Sequence, residues 1–202
     1  MIKQILALCL TVVLAVPALA QPSGGVYQEP NTGIAFPSTL GPMQYAGVVD
    51  YAEQRRPDLG ISVRYSLPGS PVRADIYLYN LGKKNLGTGT GSPEVAKIFQ
   101  QSIEDIFSLE KRGHYKDVRK LSEGRTASKT SMGSLMVLQA RISYSQLPAP
   151  LVFYTGPQIS NLYLTAYKDY FLKIRLSYPD DPRRAEHEKA QEQFLEDLGK
   201  IL

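Results

Sequence analysis

The side chains able to do chemistry are few, and their spacing excludes more than it supports. His114 and His187 are the two histidines, far apart in sequence, and Cys9 is the one cysteine. No His or acid pairing at i, i+4 around His187-Glu188 recreates a zincin-type motif, so no metal centre and no cofactor are expected. His187 shares a helical face with Ala190 and Phe194, which suits a histidine at the core boundary. There is no G-x-S-x-G, and no serine is marked as a nucleophile. The acid pairs Glu104-Asp105 and Asp180-Asp181 fall at helix-face and helix-start positions, where solvation and capping account for them. Gly87-Thr88-Gly89-Thr90-Gly91-Ser92 precedes a helix, where backbone amides can cradle an anion. It matches neither nucleotide fingerprint and reads as a strand-to-helix loop.

One constellation remains. Alternating strands with their aliphatic sides inward would carry Arg64, Tyr77, Tyr79, Arg141, Tyr163, Lys173 and Arg175 on the opposite face. Tyr mixed with Arg and Lys suits a sugar, an anionic polymer or a protein partner, through stacking and charge-assisted bonds. The competing reading is that these are long side chains shielding a sheet, or that a second layer covers part of them.

The elements that must position these residues follow from periodicity. Ile61, Val63, Tyr65 and Leu67 alternate with polar residues, and Pro68-Gly69-Ser70-Pro71 turns the chain into a second strand over Val72 to Asn80. Ser92-Pro93-Glu94 starts a helix running to about Arg112, with Val95, Ile98, Phe99, Ser102, Ile103, Ile106 and Leu109 on one face. Phe107 falls outside that stripe. Leu135 to Ser145 alternates clearly, Leu151 to Tyr154 reads as a short strand, and His114 to Arg125 fits neither period. Asn161 to Leu202 reads as a β-hairpin turning at Lys168-Asp169-Tyr170, then a terminal helix with Asp181 as N-cap and Pro182 at N1. The expected fold class is therefore α+β: an antiparallel sheet with an internal and a C-terminal amphipathic helix.

Met1 to Ala20 has the order of a secretory signal peptide: Lys3, an apolar run from Ile5 to Val16, then Ala18-Leu19-Ala20. Residues 21–32 read as a flexible lead-in and 33–202 as a single domain. Export to the periplasm or beyond is expected, with no membrane span once the signal is cleaved. Cleavage would remove Cys9, leaving a chain that folds without disulfides. The net charge of +4 includes Lys3, so the processed chain would carry +3, which does not by itself call for nucleic acid. Lys111 to Lys129 concentrates Lys111, Arg112, Lys116, Arg119, Lys120, Arg125 and Lys129. That run reads as a solvated connection, or as a patch for an anionic partner.

The order of these elements resembles the Mog1/PsbP-like superfamily, including its small secreted bacterial members. The features that carry the resemblance are Ile34-Ala35-Phe36-Pro37, the strand pair Ile61–Leu67 and Val72–Asn80, and the Ser92-Pro93-Glu94 helix. The hairpin Leu162–Tyr178 and the helix ending Phe194-Leu195-Glu196-Asp197-Leu198 complete it. The resemblance implies an α/β/α sandwich and a binding or assembly role without catalytic residues. The resulting expectation is an exported, non-enzymatic binding or adaptor protein contacting an envelope protein, an anionic polymer or a glycan. The alternatives are a hydrolase with two carboxylates in a cleft, and a small-ligand carrier with a cavity between sheet and helices.

Overall fold

A computed structural model of the chain describes residues 27–202 apart from 132, 151 and 153. The signal-peptide expectation for residues 1–20 lies outside the described residues. Tyr27, the first described residue, is already in a strand, inside the stretch expected to be a flexible lead-in. There β1 (Tyr27–Gln28) pairs with β2 (Ala35–Phe36). The connection is fixed by Glu29, buried, whose carboxylate accepts from the backbone amides of Asn31 and Thr32 and from the Thr32 hydroxyl.

The other strands form one antiparallel eight-stranded sheet. They are β3 (Thr39–Leu40), β4 (Met43–Asp50), β5 (Ile61–Ser66), β6 (Arg73–Tyr79), β7 (Tyr115–Thr130), β8 (Gly133–Gln146), β9 (Gly156–Tyr167) and β10 (Tyr170–Pro179). Their order across the sheet is β3-β4-β5-β6-β10-β9-β8-β7. With helices α1 (Pro93–Lys111) and α2 (Arg184–Ile201), the fold is α+β as expected. None of the described helices is long and apolar enough to cross a membrane. Val152 and Tyr154 belong to no strand, and their neighbours 151 and 153 lie outside the described residues.

Each helix covers its own face of the sheet. α1 begins as its sequence dictates: Ser92 Oγ accepts the Glu94 amide at 3.2 Å, Pro93 opens the first turn, and Gly113 follows the helix at φ +73°. Its buried residues are the seven expected from the stripe, and they pack with Leu138, Ala140, Ile142, Leu162, Leu164, Ala166 and Phe171; Phe107 packs half-buried beside them. α2 packs Phe194 and Leu198 with Ile76, Leu78, Leu172, Ile174 and Leu176 on the opposite face. α2 begins later than expected. Asp181 accepts the Arg183 amide on its side chain and the Arg184 amide on its carbonyl, so residues 181–183 form a turn before the helix proper.

Both edges of the sheet reach α2, so the sheet curls about it. At one edge the Gly41 amide donates to Asp197 Oδ2 at 2.8 Å; at the other the Ser131 amide donates to the Gly199 carbonyl at 3.0 Å. Neither contact leaves room for a side chain. A Cβ on Gly41 would stand 2.9 Å from backbone atoms of Gln193 and Phe194, and one on Gly199 would stand 2.1 Å from the Lys129 carbonyl oxygen.

The basic run Lys111 to Lys129 is a correction to the expected solvated connection, because most of it forms β7, a long edge strand. Its period is hidden by register shifts between Lys116 and Arg119 and between Lys120 and Ser122, and by a surface that is wet on most sides. Lys116, Arg119, Lys120, Arg125 and Lys129 are exposed along it. Charged side chains on an open edge discourage further strand pairing.

Candidate functional site

Antiparallel partners project to the same side of a sheet, so register decides which polar residues meet. Across β10 and β9, Ile174 pairs with Tyr163 and Lys173 with Leu164. The aliphatic side of β10 therefore faces α2, whereas the aliphatic side of β9 faces α1. The seven candidate residues do not share one face. Arg64, Tyr77, Tyr79, Lys173 and Arg175 lie on the α1 side, and Arg141 and Tyr163 lie on the α2 side.

On the α1 side most of the group is spent on structure. Lys173, with 6% of its surface exposed, sits 4.6 Å from the Tyr77 ring centre and 5.4 Å from that of Tyr79, cation-π distances. Tyr79 is itself a core residue against Phe171. Arg175 is buried too, donating to Ser160 Oγ at 2.9 Å, Tyr115 Oη at 3.0 Å and Tyr144 Oη at 3.4 Å. The Tyr115 and Tyr144 rings stack at 4.0 Å beneath it. Burial pushes the Tyr115 phenol up, but Arg175, Arg73 and their hydrogen bonds outweigh it and leave its pKa lowered. Burial raises Tyr144 to about 12 despite the same guanidinium. Arg64 is reachable from solvent, with its Nε on Asp75 at 2.7 Å, and Tyr77 is half-buried. Two amides of the glycine-rich loop are engaged: Gly87 N–H donates to Asp169 Oδ1 at 2.7 Å and Gly89 N–H to the Ala166 carbonyl at 2.8 Å. Those bonds pin the loop to the β9–β10 turn, where Lys168 and Asp169 both take positive φ.

The α2 side offers a cleft. Pairing of Gln139 with Tyr163 and of Arg141 with Asn161 sets a polar block on β8 and β9. Over it lie Glu188, Gln191, Glu192 and Leu195, which are spaced i, i+3, i+4 and i+7 and so form one stripe of α2. With Ser122 of β7 at the rim, these residues enclose about 230 Å³. Arg141 donates to Glu188 and, at 2.6 Å, to the Tyr178 hydroxyl, which donates on to Glu188 at 2.8 Å; Arg184 adds a third donor at 3.1 Å. Burial pushes the Glu188 carboxyl up, but these three partners overcome it and hold its pKa at about 2. Gln191 is 3% exposed; its Oε1 accepts from Asn161 at 2.9 Å while its Nε2 has no partner.

Of the expected contact residues, then, Arg141 and Tyr163 reach the cleft. Asn161, Glu188, Gln191 and Glu192 were not singled out from sequence, although their helical and strand spacing carries the signal. His187 is a buried histidine 6.3 Å from the Tyr178 ring, and among the described residues no group of His, Cys, Asp and Glu could hold a metal ion. No protein-family model matches this chain, and no curated protein matches it either.

The Glu188 network makes a pH prediction. A carboxyl whose folded pKa lies below its usual 4.5 adds stability that is complete above that value and is lost as pH falls towards about 2. Glu188 is about one-third exposed, so water screens the network and about 1 kcal/mol is expected to remain. Urea unfolding of wild type and Glu188→Gln should therefore differ by that amount at neutral pH, with the difference vanishing by about pH 2. A pH-independent difference would contradict the assignment.

Proposed function

We propose that this chain is an exported, non-enzymatic binding protein of the cell envelope whose ligand enters the cleft between β8, β9 and α2. The observation that carries this reading is the recess itself, about 230 Å³ walled by polar side chains of β8, β9 and α2 that include Arg141 and Tyr163. The acid best placed for hydrolysis, Glu188, is held ionised, the opposite of what a general acid needs. Its engagement with Arg141, Tyr178 and Arg184 favours a structural role over the paired-carboxylate reaction. The resemblance to the Mog1/PsbP-like superfamily, whose members act mainly as binding or assembly factors, leans the same way.

The test is retention of envelope components by residues 21–202 immobilised on a support and read by mass spectrometry. Arg141→Ala with Tyr163→Ala should lose the retained species, and Arg64→Ala with Tyr77→Ala on the other face should keep it. Loss in the second pair and not in the first, with both folded, would move the site to the α1 side.

A further inference from the structure

β7 ends the sheet, so one of its edges pairs with β8 and the other has no strand beside it. Lys116, Arg119, Lys120, Arg125 and Lys129 are exposed along this strand, with Asp117 and Glu123 as the acids among them. Glu123 is taken, accepting from Lys120 Nζ and from Gln100 Nε2. Among the described residues, Lys116, Arg119, Arg125 and Lys129 make no ion pair, which leaves four unanswered cations against Asp117. At ~3.3 Å per residue the row from Lys116 to Lys129 is about 40 Å long. Such a row holds a positive potential that a chain of negative charges meets at several points at once.

Register shows how the row is laid out. Arg125 pairs with Leu138 of the core under α1, so it projects on the α1 side, and Lys129 follows it by four. Arg119 pairs with Ser143, whose own partner Ile159 belongs to the α2-side core, so it projects on the other side, as does Lys116 opposite Ser145. The cations flank the open edge from both sides, and a ligand that meets all of them runs along that edge.

The same edge disfavours three other polyanionic partners. A peptide strand needs a continuous ladder, and the register shifts between Lys116 and Arg119 and between Lys120 and Ser122 break it beside three of the five cations. An anionic bilayer is held best by cations around an apolar face, and β7 exposes a single large apolar side chain, Leu121. A nucleic-acid strand carries a phosphate about every 3.4 Å, far denser than unpaired cations set roughly 10–20 Å apart. A polysaccharide with carboxylates on its sugars spaces its charges more widely. Its hydroxyls also donate and accept, as the N–H and C=O groups of an unpaired strand edge require.

We propose that the open edge of β7 binds a linear acidic polysaccharide, whose carboxylates meet Lys116, Arg119, Arg125 and Lys129 in turn. This is a second surface, and it does not require the cleft between β8, β9 and α2 to hold a ligand. From the preceding section it takes only the export that brings the chain to such polymers.

The experiment is a ¹H–¹⁵N NMR titration of residues 21–202, the processed form, with an oligogalacturonate long enough to span the row. Neutral dextran, polyglutamate, a single-stranded DNA oligonucleotide and phosphatidylglycerol vesicles are the comparators. Oligogalacturonate should shift the backbone amides from Lys116 to Lys129 saturably, and its affinity should fall about tenfold or more as NaCl rises from about 50 to about 200 mM. The triple variant Arg119→Glu, Arg125→Glu, Lys129→Glu should weaken binding about tenfold or more. Lys83→Glu, Lys84→Glu, Lys97→Glu has the same net charge, alters exposed lysines elsewhere, and should leave binding unchanged. If the first triple variant does not fold, Arg125→Gln with Lys129→Gln should still weaken binding, and the wild-type map stands without any variant. Equal weakening in the two triple variants, or shifts away from β7, would overturn the proposal. Equal or tighter binding of dextran, polyglutamate, DNA or the vesicles at these amides would overturn the assignment to an acidic polysaccharide. Retention of envelope material that survives about 0.5 M NaCl, where the exposed edge is screened, reads the cleft, so the failure of either surface shows without the other.

Discussion

Arg175→Ala is expected to destabilise the protein by about 3 kcal/mol while leaving ligand retention by the surviving folded fraction intact. Its guanidinium is buried, donates to three hydroxyls and lies 5.8 Å from each of the Tyr115 and Tyr144 ring centres. Truncation leaves Ser160, Tyr115 and Tyr144 short of a donor and opens a cavity among β7, β8, β9 and β10. Unmet buried polar groups cost about 1–3 kcal/mol each, partly recovered where hydroxyls rotate towards one another. For a domain of this size the loss corresponds to a fall in Tm of about 6–12 °C. Arg175→Met, which keeps most of the volume, should lose less, because replacing a buried charge by a packed apolar chain is often close to neutral. Equal losses in the two variants would mean that the hydrogen bonds, not the packing, are what Arg175 contributes.

Gly199→Ala should cost about 2–3 kcal/mol even though alanine is the better helix former by about 1 kcal/mol. The added methyl would lie 2.1 Å from the Lys129 carbonyl oxygen, so α2 and the end of β7 must move apart. The bond from the Ser131 amide to the Gly199 carbonyl is then lost, and with it a partner for one of the last carbonyls of α2. Hydrogen exchange should show faster exchange at Ser131, a change that global destabilisation alone would not confine there. Gly124→Ala is the control. It lies in β7 with open space around the missing Cβ and should leave Tm nearly unchanged. A stabilised Gly199→Ala would contradict the close approach of the sheet edge to α2.

The parts of the fold readable from sequence are those in which one element sees one environment. α1 has water on one side and the sheet on the other, so its stripe from Val95 to Leu109 names its buried face residue for residue. β10 does not meet that condition. Nearly every residue from Phe171 to Pro179 is buried, and its alternation shows which residues share a side without showing that either side is wet. Lys173 and Arg175 therefore looked like surface when they are interior. Whether Tyr163 stands beside Lys173 or beside Ile174 depends on hairpin register, and a two-residue turn with Lys168 and Asp169 at positive φ sets it, without the glycine that usually advertises such a turn. β7 was illegible for the opposite reason, since bulges and exposure on both sides remove its period.

The cleft was partly legible. Glu188, Gln191, Glu192 and Leu195 form a stripe adjoining Ala190, Phe194 and Leu198. Polar residues that flank the core stripe of a terminal helix look solvated in sequence, and the burial of Gln191 depends on Asn161, which arrives from a strand thirty residues away. What a one-dimensional reading lacks is the curl of the sheet about α2, which brings β8, β9 and the rim of β7 against that flank.

The measurement that bears most directly on the central claim is a ¹H–¹⁵N map of residues 21–202 with and without the envelope fraction they retain. The account predicts shifts concentrated at Gln139, Arg141, Asn161, Tyr163 and Gln191, including the side-chain amides of Asn161 and Gln191. Shifts concentrated instead along the exposed β7 edge from Lys116 to Lys129, or around Arg64 and Tyr77, with the Gln191 amide unmoved, would contradict it.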